Sequence, residues 1–242
     1  MKVITKKSVV KEHLVICLDA YFSNGLSDCI NEFYNRILTQ KVRFPLLEYC
    51  AEVFYERILE EEHINFCDQI QSLHTEGGNV ILGIILQKRL TTHFNESLQK
   101  ATEYIADADI WYVCDIIGER VFGFSLLTEP DKTIPEIQTL AKHPINWVIR
   151  SLGAGIHYSI KKGLASNYVD ILFNLLLSLA NNKDKEIRQG IGWAAKTTAK
   201  FHPNIIEHHK NKIYDHEKVA NWFRKKISIG LNRHEYAKRN HS

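Results

Sequence analysis

Three stretches of this chain set an indole beside charged or polar side chains at helical spacing. Trp111 precedes Asp115 by one turn; Trp147, Arg150, His157 and Lys161 follow one another in steps of 3, 7 and 4; and Gln189, Trp193, Lys196 and Lys200 repeat the device. On a helix such steps fall along one side. Val148, Ile149, Leu152, Ile156 and Ile160 then occupy other faces and can be buried. An indole, a guanidinium, an imidazole and an ammonium in one column is an odd surface for a helix that only packs. It suits a polyanion that also carries flat π faces. The three helices together form the candidate active surface.

The elements that must position these residues read as helices nearly end to end. Apolar periodicity predicts them at about 8–23, 27–40, 45–60, 62–73, 79–91, 95–106, 110–125, 134–142, 146–162, 167–181, 184–200, 204–212 and 216–230. Breaks fall at Asn24-Gly25, Gly77-Gly78, Glu129-Pro130-Asp131, His143-Pro144 and His202-Pro203. All five prolines (45, 130, 135, 144 and 203) are expected at or near a helix start or in a loop, where a fixed φ and a missing N–H do no harm. The most strand-like run, 80–86, continues into Gln87–Leu90 as a helix. Trp111, Trp147 and Trp193 recur at 36 and 46 residues, close to the ~40–47-residue unit of HEAT/armadillo-type pairs. The fold expected is therefore all-α: an α-α superhelix of about six stacked helix pairs, residues 1–242 forming a single domain. Every second helix would line its concave side. Gly118, Gly153, Gly155, Gly190 and Gly192 fall inside these helices, each at a cost of about 1 kcal/mol against Ala. Tight packing between neighbours is the preferred reason.

The net charge of +3 conceals an asymmetry: residues 1–142 carry 14 Lys/Arg against 21 Asp/Glu, and residues 143–242 carry 17 against 7. A basic half in a near-neutral chain points to a local polyanion-binding face. The phosphate-contact candidates on it are His157, Lys161, Lys162, Arg188, Lys196, Lys200, Arg224, Lys225 and Lys226, the last three following Trp222-Phe223 in a basic tail that runs on through Arg233 to Arg239. No apolar run approaches the ~18 residues of a membrane span, and the N-terminus reads poorly as a signal peptide. Five widely spaced cysteines without a C-x-x-C pair fit reduced thiols and a cytoplasmic location. His202, His208, His209, Asp215 and His216 cluster in sequence but lack zinc-ligand spacing, so no metal is expected there.

The segments Trp111-Tyr112-Val113-Cys114-Asp115, Asn146-Trp147-Val148-Ile149-Arg150 and Gly190-Ile191-Gly192-Trp193, in this order, resemble the DNA alkylation repair family of AlkD-like glycosylases. The resemblance covers roughly residues 105–205. It implies a HEAT-like repeat array that excises positively charged N3- and N7-alkylpurines from duplex DNA without a metal or an organic cofactor. Carried over to this chain, Asp115 is the catalytic carboxylate, Arg150 grips a phosphate and keeps that carboxylate placed, and Trp111 and Trp193 supply the aromatic faces. Trp147 stays outside the catalytic set. Double-stranded DNA, alkylated or distorted, is the implied partner, and the protein would act as a monomer. Two alternatives stay open: a non-catalytic binder of branched or damaged DNA on the same scaffold, and a protein-interaction solenoid.

Overall fold

A helix forms where apolar residues recur at helical spacing, and the side chains of Thr75 and Asp184 each cap a helix start. The computed structural model describes residues 3–241, apart from the side chains of 240 and 241. In order they are α1 (Lys7–Asn24), α2 (Leu26–Phe33, prolonged by a π-helical turn, Tyr34–Leu38), α3 (Phe44–Arg57), α4 (His63–Ser72, entered through a 3-10 turn, Glu60–Glu62), α5 (Glu76–Arg89) and α6 (Phe94–Ala108). There follow α7 (Trp111–Ile117), a π-helical turn (Gly118–Gly123), α8 (Phe124–Thr128), α9 (Pro130–Leu140), α10 (Asn146–Lys161) and α11 (Ser166–Ser178). The last are α12 (Lys185–Phe201), α13 (Pro203–His208), α14 (Lys210–Ile213) and α15 (Asn221–His241). Among the described residues the only strands are β1 (Val3–Ile4) and β2 (Lys41–Val42), paired in parallel. The all-α expectation holds, and no described helix is long and apolar enough to cross a membrane.

Contacts divide the chain into two compact units, Met1–Tyr104 and Ile105–Ser242. In the first, α1 packs on α2, and α5 receives both α3 and α4. Residues 80–86 of α5 are all buried, which explains why this helix reads as a featureless apolar run: it has no solvent face to mark with polar residues. In the second unit α7 and its π-helical turn pack on α10, α10 on α12, and α12 on α15, while α9, α11 and α13 touch members of that row without interrupting it. α7 with its π-helical turn, α10, α12 and α15 thus form one continuous row. The five cysteines are buried with free thiols, and burial raises their pKa, that of Cys114 to about 12.

The row is held at backbone distance by glycine. A Cβ on Gly190 would lie 2.2 Å from the Arg150 carbonyl oxygen, one on Gly153 2.1 Å from the Gly190 carbonyl, one on Gly118 2.6 Å from the Ser151 oxygen and one on Gly230 2.3 Å from the Lys196 oxygen. Tight packing is the reason for most of the helical glycines. Gly192 differs, facing only the side chain of Lys226.

Some boundaries depart from expectation. Gly77 and Gly78 do not break the chain but form the first turn of α5, because Thr75 caps that helix by accepting from the Gly78 N–H. Pro135 lies inside α9, not near its start: the helix begins at Pro130, and the missing N–H leaves the Asp131 carbonyl without its helical donor. The helix expected over 204–212 is broken at His209 into α13 and α14. Residues 216–220 form a turn because Asp215 accepts from the Glu217 and Lys218 N–H groups, and α15 starts at Asn221.

Gly190→Ala should lower the free energy of unfolding by about 3 kcal/mol or more, since backbone and not a flexible side chain must give way. Gly192→Ala should cost little, because the Lys226 chain can move and alanine favours the helix. Urea unfolding of both variants checks this; equal losses would show that the backbone contact is not what Gly190 serves.

Candidate functional site

Because the row is so close, side chains from three of its helices meet. Asp115 stands on α7, Arg150 on α10 and Glu186 in the first turn of α12, whose N-cap Asp184 fixes it by accepting from the Glu186 and Ile187 N–H groups. Arg150 donates from Nε and Nη2 to the two oxygens of Asp115 at 3.2 and 3.0 Å, and from Nη1 to Glu186 Oε2 at 2.6 Å. The three side chains are only 11, 18 and 25% exposed in the order Arg150, Asp115, Glu186. Burial disfavours the Arg150 charge, but the hydrogen bonds and charge of Asp115, with Glu186 behind them, raise its pKa overall. Three of the five guanidinium N–H groups are thus engaged by carboxylates, so Arg150 positions Asp115 and Glu186.

One guanidinium stands between two carboxylates, and the exposed Lys185 ammonium lies 4.0 Å from Glu186 Oε1 on the outer side. Glu119, one turn beyond Asp115, is pushed above the usual carboxylate range, chiefly by burial, against the pull of Arg120 and with the push of Asp115. Trp147 lies across the cluster, its ring 5.8 Å from the Arg150 guanidinium carbon and its Nε1 donating to Asp109. Trp111 is 56% exposed on the same helix as Asp115.

Trp193 is half-buried and stacks on His157, the ring centroids 4.0 Å apart at 28°. His157 is 8% exposed, with Nδ1 2.6 Å from the Thr197 hydroxyl. That hydroxyl donates its single proton to the Trp193 carbonyl, so the imidazole donates from Nδ1. Burial, then Lys161 and Lys196, push the His157 pKa down to about 4. The geometry makes His157 a neutral support for Trp193, and leaves it no surface for a phosphate.

The basic candidates do not form one column. Lys161 and Lys162 are exposed at the end of α10, the latter 5.8 Å over Tyr158, and Lys200 lies 4.9 Å over Phe201. Arg188 lies 5.6 Å over Trp222 in a cleft of about 490 Å³ shared with Lys183 and Lys225. Arg224 instead turns back to donate to the Val219 carbonyl. Lys196 has its pKa lowered by burial and by Arg233 and Lys226, and among the described residues no carboxylate pairs with these three. Crowded cations without a counter-charge suit a polyanion.

Sequence reasoning missed Glu186 and Asp109. Glu186 was legible, lying seven residues before Trp193 on the same helical side. Asp109 was not, because its position depends on a left-handed backbone (φ 47) after α6.

A family model described as DNA alkylation repair enzyme matches residues 47–224. Searches of curated proteins and of solved structures returned no match.

His157 generates a pH prediction. Its pKa is about 4 when folded and ~6.5 when unfolded, so the unfolded chain binds more protons between these values. Its contribution is complete above about pH 6.5 and is lost as pH falls through about 4, a change of about 3 kcal/mol. His157→Gln should flatten that part of the pH dependence in urea melts, leaving what His63 and His202 contribute through their own burial-lowered pKa. An unchanged slope would assign the effect to another group.

Proposed function

Because the chain belongs to the DNA alkylation repair enzyme family, we propose that it is a DNA glycosylase releasing positively charged N3- and N7-alkylpurines from duplex DNA. The observation that carries this reading is the Asp115 carboxylate, part-buried and fixed by Arg150 beside the exposed Trp111. An alkylated purine is already a cationic leaving group. When its C1′–N bond breaks, the electron pair neutralises the base and the positive charge moves to the sugar, an oxocarbenium-like centre. A carboxylate fixed before the reaction stabilises that charge without reorganising, an effect worth about 3 kcal/mol. Water then adds at C1′, and its proton leaves to solvent by way of the carboxylate. Arg150 orients Asp115, Glu186 keeps Arg150 from neutralising it fully, and the indole faces of Trp111 and Trp193 hold cationic sugar or base at about 0.5–2 kcal/mol each. Lys161, Lys162, Arg188, Lys196, Lys200, Lys225 and Lys226 supply the phosphate contacts.

One observation favours a second reading. Both Asp115 oxygens already accept from Arg150, which is also how a purely structural strap between α7 and α10 would look. The chain would then bind branched or damaged DNA on the same face without excising bases.

Incubation with a duplex bearing one N7-methylguanine, followed by alkali, separates the two. Release above the protein-free rate, falling by about 100-fold in Asp115→Asn with DNA affinity retained, is the expected result. Salt-sensitive binding with no abasic product would establish the second reading.

A further inference from the structure

The corner between α13 and α14 gathers three groups that lie apart in the sequence. Neighbouring residues of an unbroken helix point about 100° apart, but α13 ends at His208, and His209 leaves helical geometry at φ −92, ψ 12. The break turns both imidazoles toward α11, where Asp170 stands. His209 is 4% exposed, its Nε2 lies 2.8 Å from Asp170 Oδ1, and its ring packs on Phe173 at 5.4 Å. The His208 ring stands edge-on to that of His209, with centroids 4.9 Å apart at 82°. One ligand atom from each of the three residues lies within 4.8 Å of the others.

We propose that Asp170, His208 and His209 form a binding site for a divalent transition-metal ion, zinc foremost, that ties α11 to the α13–α14 corner. Two imidazoles and a carboxylate are a zinc donor set, with Co²⁺ and Ni²⁺ as substitutes. Bonds of ~2.0–2.1 Å to a tetrahedral ion put its ligand atoms about 3.3 Å apart. One present separation is 2.8 Å and none exceeds 4.8 Å, within reach of that value by side-chain adjustment. His209 is held by its packing, and His208 is exposed and can turn. The ion-pair partner of Asp170 is His209, while Lys210 pairs with Glu207 and Lys212 donates to Asn174. Asp215, a sequence neighbour that might have served as ligand, instead caps its own turn. Three protein ligands leave a fourth position for water.

The test uses the full chain, stripped with EDTA and dialysed. Zinc titrated calorimetrically should bind at one ion per chain and raise the melting midpoint, and Co²⁺ should give the visible absorption of a four-coordinate N/O site. His208→Ala removes an exposed side chain and should fold normally by circular dichroism. It and Asp170→Asn should each weaken binding by about 100-fold or more, a loss that changes beyond the ligands themselves already approach. His216→Ala should change nothing. Wild-type affinity in His208→Ala would overturn the site, leaving a plain Asp170–His209 hydrogen bond. Non-stoichiometric uptake lowered a little by every histidine variant would overturn it too, as adventitious surface binding.

Discussion

The backbone contact between α10 and α12 at Gly153 and Gly190 is the constraint on which the second unit depends. Two helices that meet without Cβ atoms bring their flanking side chains within reach of each other, and the device recurs along the row. Asp115 lies three residues before Gly118, Arg150 three before Gly153, and Glu186 four before Gly190. Each charged group therefore sits about one helical turn before a glycine at which its helix touches a neighbour in the row. Helix propensity argues against these glycines, and the packed layer supplies what propensity lacks. The ion-pair cluster is a consequence of the contacts: helices held farther apart would leave Arg150 unable to reach both carboxylates at hydrogen-bond distance.

That placement has an electrostatic consequence. Partly buried charges lose hydration, and a lone guanidinium in this position would be costly. Two carboxylates offset the loss, held by hydrogen bonds to the guanidinium and not by mobile solvent. On the same layer Lys196, Lys226 and Arg233 crowd together with the opposite sign. Under the proposed function the carboxylate would serve a cationic reacting part and these cations an anionic backbone. Neither a plain polyanion site nor a plain cation site needs both.

Much of this was legible in the residue order. Helical period gave the class of fold, proline marked the starts of α3, α9 and α13, and indole-plus-charge spacing located α7, α10 and α12. What escaped did so for physical reasons. A helical column predicts which residues share a side, not whether a neighbour covers it, so His157 read as surface although Trp193 and Thr197 enclose it. The Gly77-Gly78 pair read as a break because glycine spacing alone cannot reveal that Thr75 caps a helix starting before it. The histidine cluster looked unlike a metal site because its third member, Asp170, arrives from α11, far upstream, and no local spacing rule contains it.

The π-helical turn Gly118–Gly123 shows how one helix serves two faces. In an uninterrupted α-helix, steps of 4, 7 and 11 fall on one side, so Phe122 would share the face of Trp111 and Asp115. A large apolar ring would then stand beside the carboxylate, displacing water and ligand alike. The wider turn takes up about one extra residue and rotates the downstream side chains by about 100°. Phe122 is accordingly fully buried, while Trp111 stays exposed and Asp115 faces Arg150. Gly118 opens the turn and also accepts the close approach of Ser151. The same residue therefore lets α10 come near and starts the change of phase that keeps the polar face polar. A uniform helix could satisfy the core or the site at these positions, but not both.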